Sequence, residues 1–163
     1  MALNFPDAPV ANQVFTVGNA SWIWDTVKWV ASSTAQVIPY TSLPAEVQQI
    51  PIAFPIAGKP AANGTVNVPT VMALTIATSL AGTIGGAITA ATAAAAFTLN
   101  KITVAGVTTA LGTITAPAGA KSGFTLSGAG GSLAIGDLLQ LVAPGTQDST
   151  LADLGITVMA LRV

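Results

Sequence analysis

Between Lys59 and Lys101 the chain runs for 41 residues, Pro60 to Asn100, without one charged side chain. A stretch of that kind either crosses a lipid bilayer or folds into a surface that something other than water covers. A spanning helix needs about 20 predominantly apolar residues. Here Thr75, Thr78, Ser79, Thr83, Thr89, Thr92 and Thr98 dilute the run, as do Gly82, Gly85 and Gly86. Gly82 and Gly86 form a small-xxx-small pair, but Gly, Ala and Thr recur everywhere in this sequence, and no Lys/Arg cluster flanks the run to orient a span. Met1–Pro9 holds Asp7 and two prolines and no basic segment, so it does not read as a secretory leader. No membrane span is expected.

The rest of the chain shares this poverty of charge. Of its 163 residues 7% are charged, five Lys+Arg against six Asp+Glu, whereas an ordinary soluble domain carries roughly a quarter. There is no Cys and no His. A disulfide framework, thiol chemistry and the usual Cys/His zinc sites are therefore excluded, and no imidazole can act as general base. Five scattered basic residues cannot neutralise a phosphate backbone, so nucleic acid is not an expected partner. Thr (21 residues), Val and Ile favour strands, while Gly and Pro punctuate turns. A β-rich chain with so few charges stays soluble when copies of itself or another protein surface cover its faces and edges.

Three blocks follow along the chain, and together they predict an all-β protein. Residues 1–31 read as a small three-stranded β module with strands at Gln13–Val17, Ser21–Trp24 and Val27–Ala31, turning at Gly18-Asn19 and Asp25-Thr26. Alternation puts Phe15 with Val17 on one face, Trp22 with Trp24, and Val27 with Trp29. Residues 32–50 lack alternation and read as a linker in which Leu43 to Gln49 can form a helical turn. Residues 51–163 read as a β-sandwich, jelly-roll-like, with strands at roughly ten-residue spacing. Pro55 marks Ile52–Ala57 as an edge strand or bulge. Thr65–Val68, Val71–Thr78, Val107–Thr115, Phe124–Ser127 and Asp137–Val142 are further strands. In Phe97–Val104 the apolar parity changes between Leu99 and Ile102, which predicts a β-bulge near Asn100-Lys101. Leu154–Val163 is apolar on both faces, as a central, doubly covered strand is. Ala87–Ala96 is an alanine run with helical propensity, but three preceding glycines, Thr89 and Thr92 favour an extended crossing.

Catalytic patterns fail one by one. Gly130-Gly131-Ser132-Leu133-Ala134 misses the last glycine of a nucleophile elbow, and Lys121-Ser122 lacks the glycines of a phosphate-binding loop. The only Glu is Glu46, and nothing in the spacing pairs Asp137, Asp148 and Asp153 for acid–base work or calcium binding. Their turn-like settings predict capping roles. No catalytic residue, cofactor or metal site is expected. Phe15, Trp22, Trp24 and Trp29 have two competing uses: an exposed platform for docking or for stacking on sugars, or the core of a module of about 30 residues that has little else to bury.

The first block resembles a short module of tailed-bacteriophage virion proteins. The likeness is carried by Phe5-Pro6-Asp7-Ala8-Pro9, Asn12-Gln13-Val14-Phe15-Thr16-Val17-Gly18, Trp22-Ile23-Trp24-Asp25 and Lys28-Trp29. The chain departs from the pattern at Val14, where a small or polar residue is usual, and at Thr26, where the turn commonly has glycine. More loosely, the last block is similar to C-terminal β-sandwich domains of phage structural proteins, through Pro51–Phe54, Phe97–Lys101 and Asp137–Pro144. The resemblance implies a non-enzymatic protein on the virion exterior, often a trimer. Expected partners are then copies of itself, through the sandwich, and other capsid or tail proteins, on which the module bearing Phe15, Trp22, Trp24 and Trp29 docks. A capsid-decorating or short-fibre subunit is the first expectation, a tail-fibre adhesin for host surface glycan the second, and a membrane-active phage protein the third.

Overall fold

The computed structural model describes residues 4–18, 20–32 and 43–163. The chain is almost entirely β and divides into two compact units, Met1–Pro39 and Tyr40–Val163.

In the first unit, β1 (Val14–Val17), β2 (Ala20–Trp24) and β3 (Trp29–Ala31) form an antiparallel meander in that order. Val17 pairs Ala20, which leaves the two-residue turn expected at Gly18-Asn19, with Gly18 at φ +59°. Asn19 itself lies outside the described residues. The second turn spans Asp25–Lys28. One Asp25 carboxylate oxygen accepts from the Val27 and Lys28 amides at 2.9 and 2.7 Å, and this holds the Asp25 carboxyl below its ordinary range. Val27 therefore belongs to the turn rather than to β3.

The second unit begins with a single helical turn, α1 (Ala45–Gln48), where Leu43 to Gln49 predicted one. Within the expected linker, residues 33–42 lie outside the described residues, and Gln49 and Ile50 already belong to β4 (Gln49–Ile56). Nine more strands follow: β5 (Thr65–Pro69), β6 (Leu74–Ile76), β7 (Ile84–Thr89), β8 (Ala95–Ile102), β9 (Thr108–Ala116), β10 (Thr125–Ser127), β11 (Gly131–Leu133), β12 (Leu138–Val142) and β13 (Ala152–Arg162). They form two sheets, β10-β9-β8-β12-β5 and β11-β6-β13-β4, with β7 added on β13. Without β7 and β10, each sheet has four strands, and the chain visits the two sheets in the order of a jelly roll, with β8 and β9 adjacent in one of them.

The core lies between the sheets. Phe54, Ile156 and Val158 from one sheet meet Phe97, Ile114 and Leu139 from the other, and all six are fully buried. Pro55 sits on an edge strand, since β4 pairs only with β13. Residues 87–96 hold no helix: they belong to β7 up to Thr89 and to β8 from Ala95, with a crossing between in which Ala91 bridges Ala118.

Two expectations need correction. The irregularity is at Leu99/Asn100, but the extra residue stands on the neighbouring strand: Leu99 pairs Gly112 and Asn100 pairs Ala110, leaving Leu111 over. The bulge turns Leu111 into the core, while β8 keeps its alternation and Ile102 and Val104 stay out of the core. β13 is central, flanked by β4 on one side and by β6 and β7 on the other, yet only its Leu154, Ile156, Val158 and Ala160 face is buried in the sandwich.

Candidate functional site

Phe15 pairs Trp22 across β1 and β2, and Trp24 pairs Trp29 across β2 and β3, so antiparallel register gathers the four predicted residues on one face of the small sheet. Phe5, from outside the strands, completes the cluster. Its ring centroid lies 5.0 Å from Phe15, 5.4 Å from Trp22 in an edge-on contact, and 5.2 Å from Trp29 in a stacked one. Trp24 meets Trp29 at 5.6 Å. Each such pair is worth about 0.5–1.5 kcal/mol beyond its buried area. All five rings are half-buried, and they bury one another. The face that sequence reasoning offered for docking is thus largely the unit's own core, with Trp24 at its margin. Phe5 was visible in the opening motif but not as a member of the cluster, because alternation speaks only within strands. On the opposite face Val14, Ile23 and Val30 stand in one row; Val14 is 59% and Val30 43% exposed.

In the larger unit the acidic side chains organise loops. Asp148 is the clearest case. Its carboxylate accepts from the Thr92 hydroxyl at 2.7 Å and from the amides of Thr92, Ala93, Thr150 and Leu151 at 2.9–3.2 Å. The Thr92 hydroxyl and these amides hold the Asp148 carboxyl far below the usual carboxylate range. The carboxylate thereby ties the 90–93 crossing to the loop before β13. Beside it lies a cleft of about 650 Å³, lined by Thr92–Ala96 and Pro144–Ser149. With every lone pair of Asp148 engaged, the cleft offers hydroxyl and backbone groups. Asp137 caps the turn before β12 by accepting from the Ala134 amide at 2.9 Å, and Asp153 accepts from the Gly58 amide at 2.7 Å. Lys59 donates to the Ser149 carbonyl, and Lys101 to the Ser132 carbonyl at 3.0 Å. Among the described residues no three acidic side chains come together to hold a metal ion.

With the charges at loops and strand ends, the sheets are left neutral. Within β4–β13 only Lys101, Asp153 and Arg162 are charged, each at or next to the end of its strand. On the outer face of the first sheet a row runs Thr65, Val142, Thr98, Thr113, Ser127. Next to it the Asn100 amide donates to Gln140 at 3.3 Å, and Gln140 to Asn67 at 3.0 Å, so the amides bond across three strands. The outer face of the second sheet carries Pro51, Ala53 and Pro55 of β4, Thr157, Met159 and Leu161 of β13, and Ile84 and Ile88 of β7. The low charge of these faces follows from composition; which residues compose them depends on register, which alternation alone does not supply.

No protein-family model, curated protein or solved structure matches this chain significantly. Among the described residues no helix is long and apolar enough to cross a membrane.

Proposed function

We propose that the protein is a non-enzymatic structural subunit on the exterior of a tailed-bacteriophage particle, either decorating the capsid or forming a short fibre. The observation that carries this reading is the distribution of charge: the sheets carry ionic groups only at or next to strand ends, and the rest lie in loops. Such faces suit a subunit whose neighbours cover it. The resemblance of residues 1–31 to virion modules supports a phage particle as the setting, and jelly rolls serve in capsid and lectin domains alike. In this reading the small aromatic unit docks on capsid or tail proteins and the sandwich forms a homo-oligomeric knob.

Imaging of intact virions carrying an epitope tag on this protein, beside a deletion strain, tests the proposal. Label on the capsid surface or on a short appendage is the expected result; absence of the protein from purified particles overturns it. A second reading, a tail-fibre adhesin for host glycan, draws on Trp24, the indole at the margin of the cluster. Glycan-array binding that Trp24→Ala abolishes, with the other two indoles still reporting a folded unit, would favour it.

A further inference from the structure

β13 is the longest strand of the molecule, and fourth among its eleven residues stands Gly155, paired with Gly86 on β7 and with Pro55 on β4. A glycine inside a strand weakens it, and such positions commonly mark a bulge or the close approach of another backbone. Nothing within the protomer requires this one. Gly155 has no positive φ, and a β-carbon built on it would meet no atom within 4 Å. Gly86 also lacks a positive φ, and its nearest contact would be an ordinary 3.4 Å to the Lys121 carbonyl. The two glycines form a shallow trough open to the outside. On either side of it rise Ile84 and Ile88, which are 68% and 69% exposed although they belong to a regular strand.

From this relief we infer that a second copy of this chain seats on the outer face of the β7–β13–β4 sheet, with the Ile84 and Ile88 ridges of each protomer filling the Gly86–Gly155 trough of the other. Knob and trough lie on one patch, so the contact is self-complementary and two-fold. The threefold order that the resemblance implies would need two different patches. In plan the plate measures about 30 Å by about 15 Å at its longest, on the order of 500 Å², and it reaches the roughly 800 Å² of accessible surface that each partner gives to a stable interface only when the relief of its side chains is counted. Two charged residues stand beside the trough: Asp153, two residues before Gly155, is bound to the Gly58 amide, and Lys121 borders β7 through its backbone, its carbonyl accepting from the Ala87 amide. Strand addition at the β4 edge is disfavoured, because Pro51 and Pro55 carry no N–H. The contact is therefore face to face. The inference deepens the reading of the chain as an assembling subunit and rests on it.

Sedimentation equilibrium of the full chain at micromolar concentration tests this. The wild type is expected at twice the 16.1 kDa of one chain. Gly155→Val, which suits a strand and meets open space in the protomer, is expected at the mass of one chain with an unchanged far-UV spectrum. Ile88→Lys is a second route to the same loss, and Val104→Lys, an exposed valine in the β8–β9 turn, leaves the pair intact. A wild type of one-chain or three-chain mass, or a pair that survives Gly155→Val, overturns the inference. Location on the virion is read separately, so a protein absent from particles can still pair in solution, and a monomeric one can still decorate a capsid.

Discussion

Thr26 is a β-branched residue held at φ +85°, in a region where side chains with a branched Cβ are rarely found. The Asp25 side chain fixes it there by gathering the next two amides. The strain predicts that Thr26→Gly stabilises the small unit by roughly 0.5–1 kcal/mol, the relief of the left-handed backbone less the added entropy of glycine. All three tryptophans lie in this unit, so denaturant unfolding followed by selectively excited tryptophan fluorescence reads it alone. Gly130 is the opposite case. Its φ is +67°, and a β-carbon there would stand 2.3 Å from the Ile76 carbonyl oxygen and 2.5 Å from that of Ala77. Both obstacles are backbone and cannot swing aside. Gly130→Ala is therefore expected to cost on the order of 3–5 kcal/mol, seen as a fall of about 10 °C or more in the melting of the β signal.

At the scale of elements, Asp148 joins a loop of one sheet to the crossing that leads into the other. Its folded pKa is depressed, so its contribution to stability is fully present above the unfolded carboxyl value of about 3.9 and is lost as pH falls below it toward the folded value. Asp148→Asn should lower the melting temperature at pH 7 and flatten its decline below about pH 4; a variant whose acid melting follows the wild type there would refute this role. How far the elements were legible follows from the same local chemistry. Alternation and turn residues announced the meander, the strands around Val66–Val68 and Leu139–Leu141, and the edge position of β4 through Pro55. β7 escaped because Gly85 and Gly86 interrupt its pattern. Gly85 is required by tertiary packing: a β-carbon there would sit 2.3 Å from the Phe124 ring, about 40 residues away in the chain. β11 escaped for a similar reason, since Gly130-Gly131-Ser132 looks like a loop until it is set against β6. The aromatic set was readable because Phe15, Trp22, Trp24 and Trp29 share a face through nearest-neighbour strands. The outer plate was not, because it joins β4, β7 and β13 from distant parts of the chain, and the bare backbone at Gly155 gives no signal in a hydrophobic pattern.

For the whole molecule, the consequence lies in where its charge is not. Carboxylates and ammonium groups sit at loops and strand ends, many already satisfied by backbone partners, so ionic attraction has little to offer an assembly built on the sheet faces. An association driven by apolar cover is nearly indifferent to screening, whereas one steered by exposed charges weakens steeply as the Debye length falls from about 10 Å at 0.1 M salt to about 3 Å at 1 M. It also tightens with sulfate, which is excluded from protein surface, and loosens on cooling as the hydrophobic term fades. The self-association constant of this chain is therefore expected to change by less than about threefold between 0.1 and 1 M sodium chloride, to rise in ammonium sulfate, and to fall between 25 and 5 °C. Sedimentation across these conditions checks all three trends together. A constant that drops tenfold or more with sodium chloride would shift the contact from the neutral plates to the charged ends of the sandwich, and the account of why so few ionic side chains suffice would fail with it.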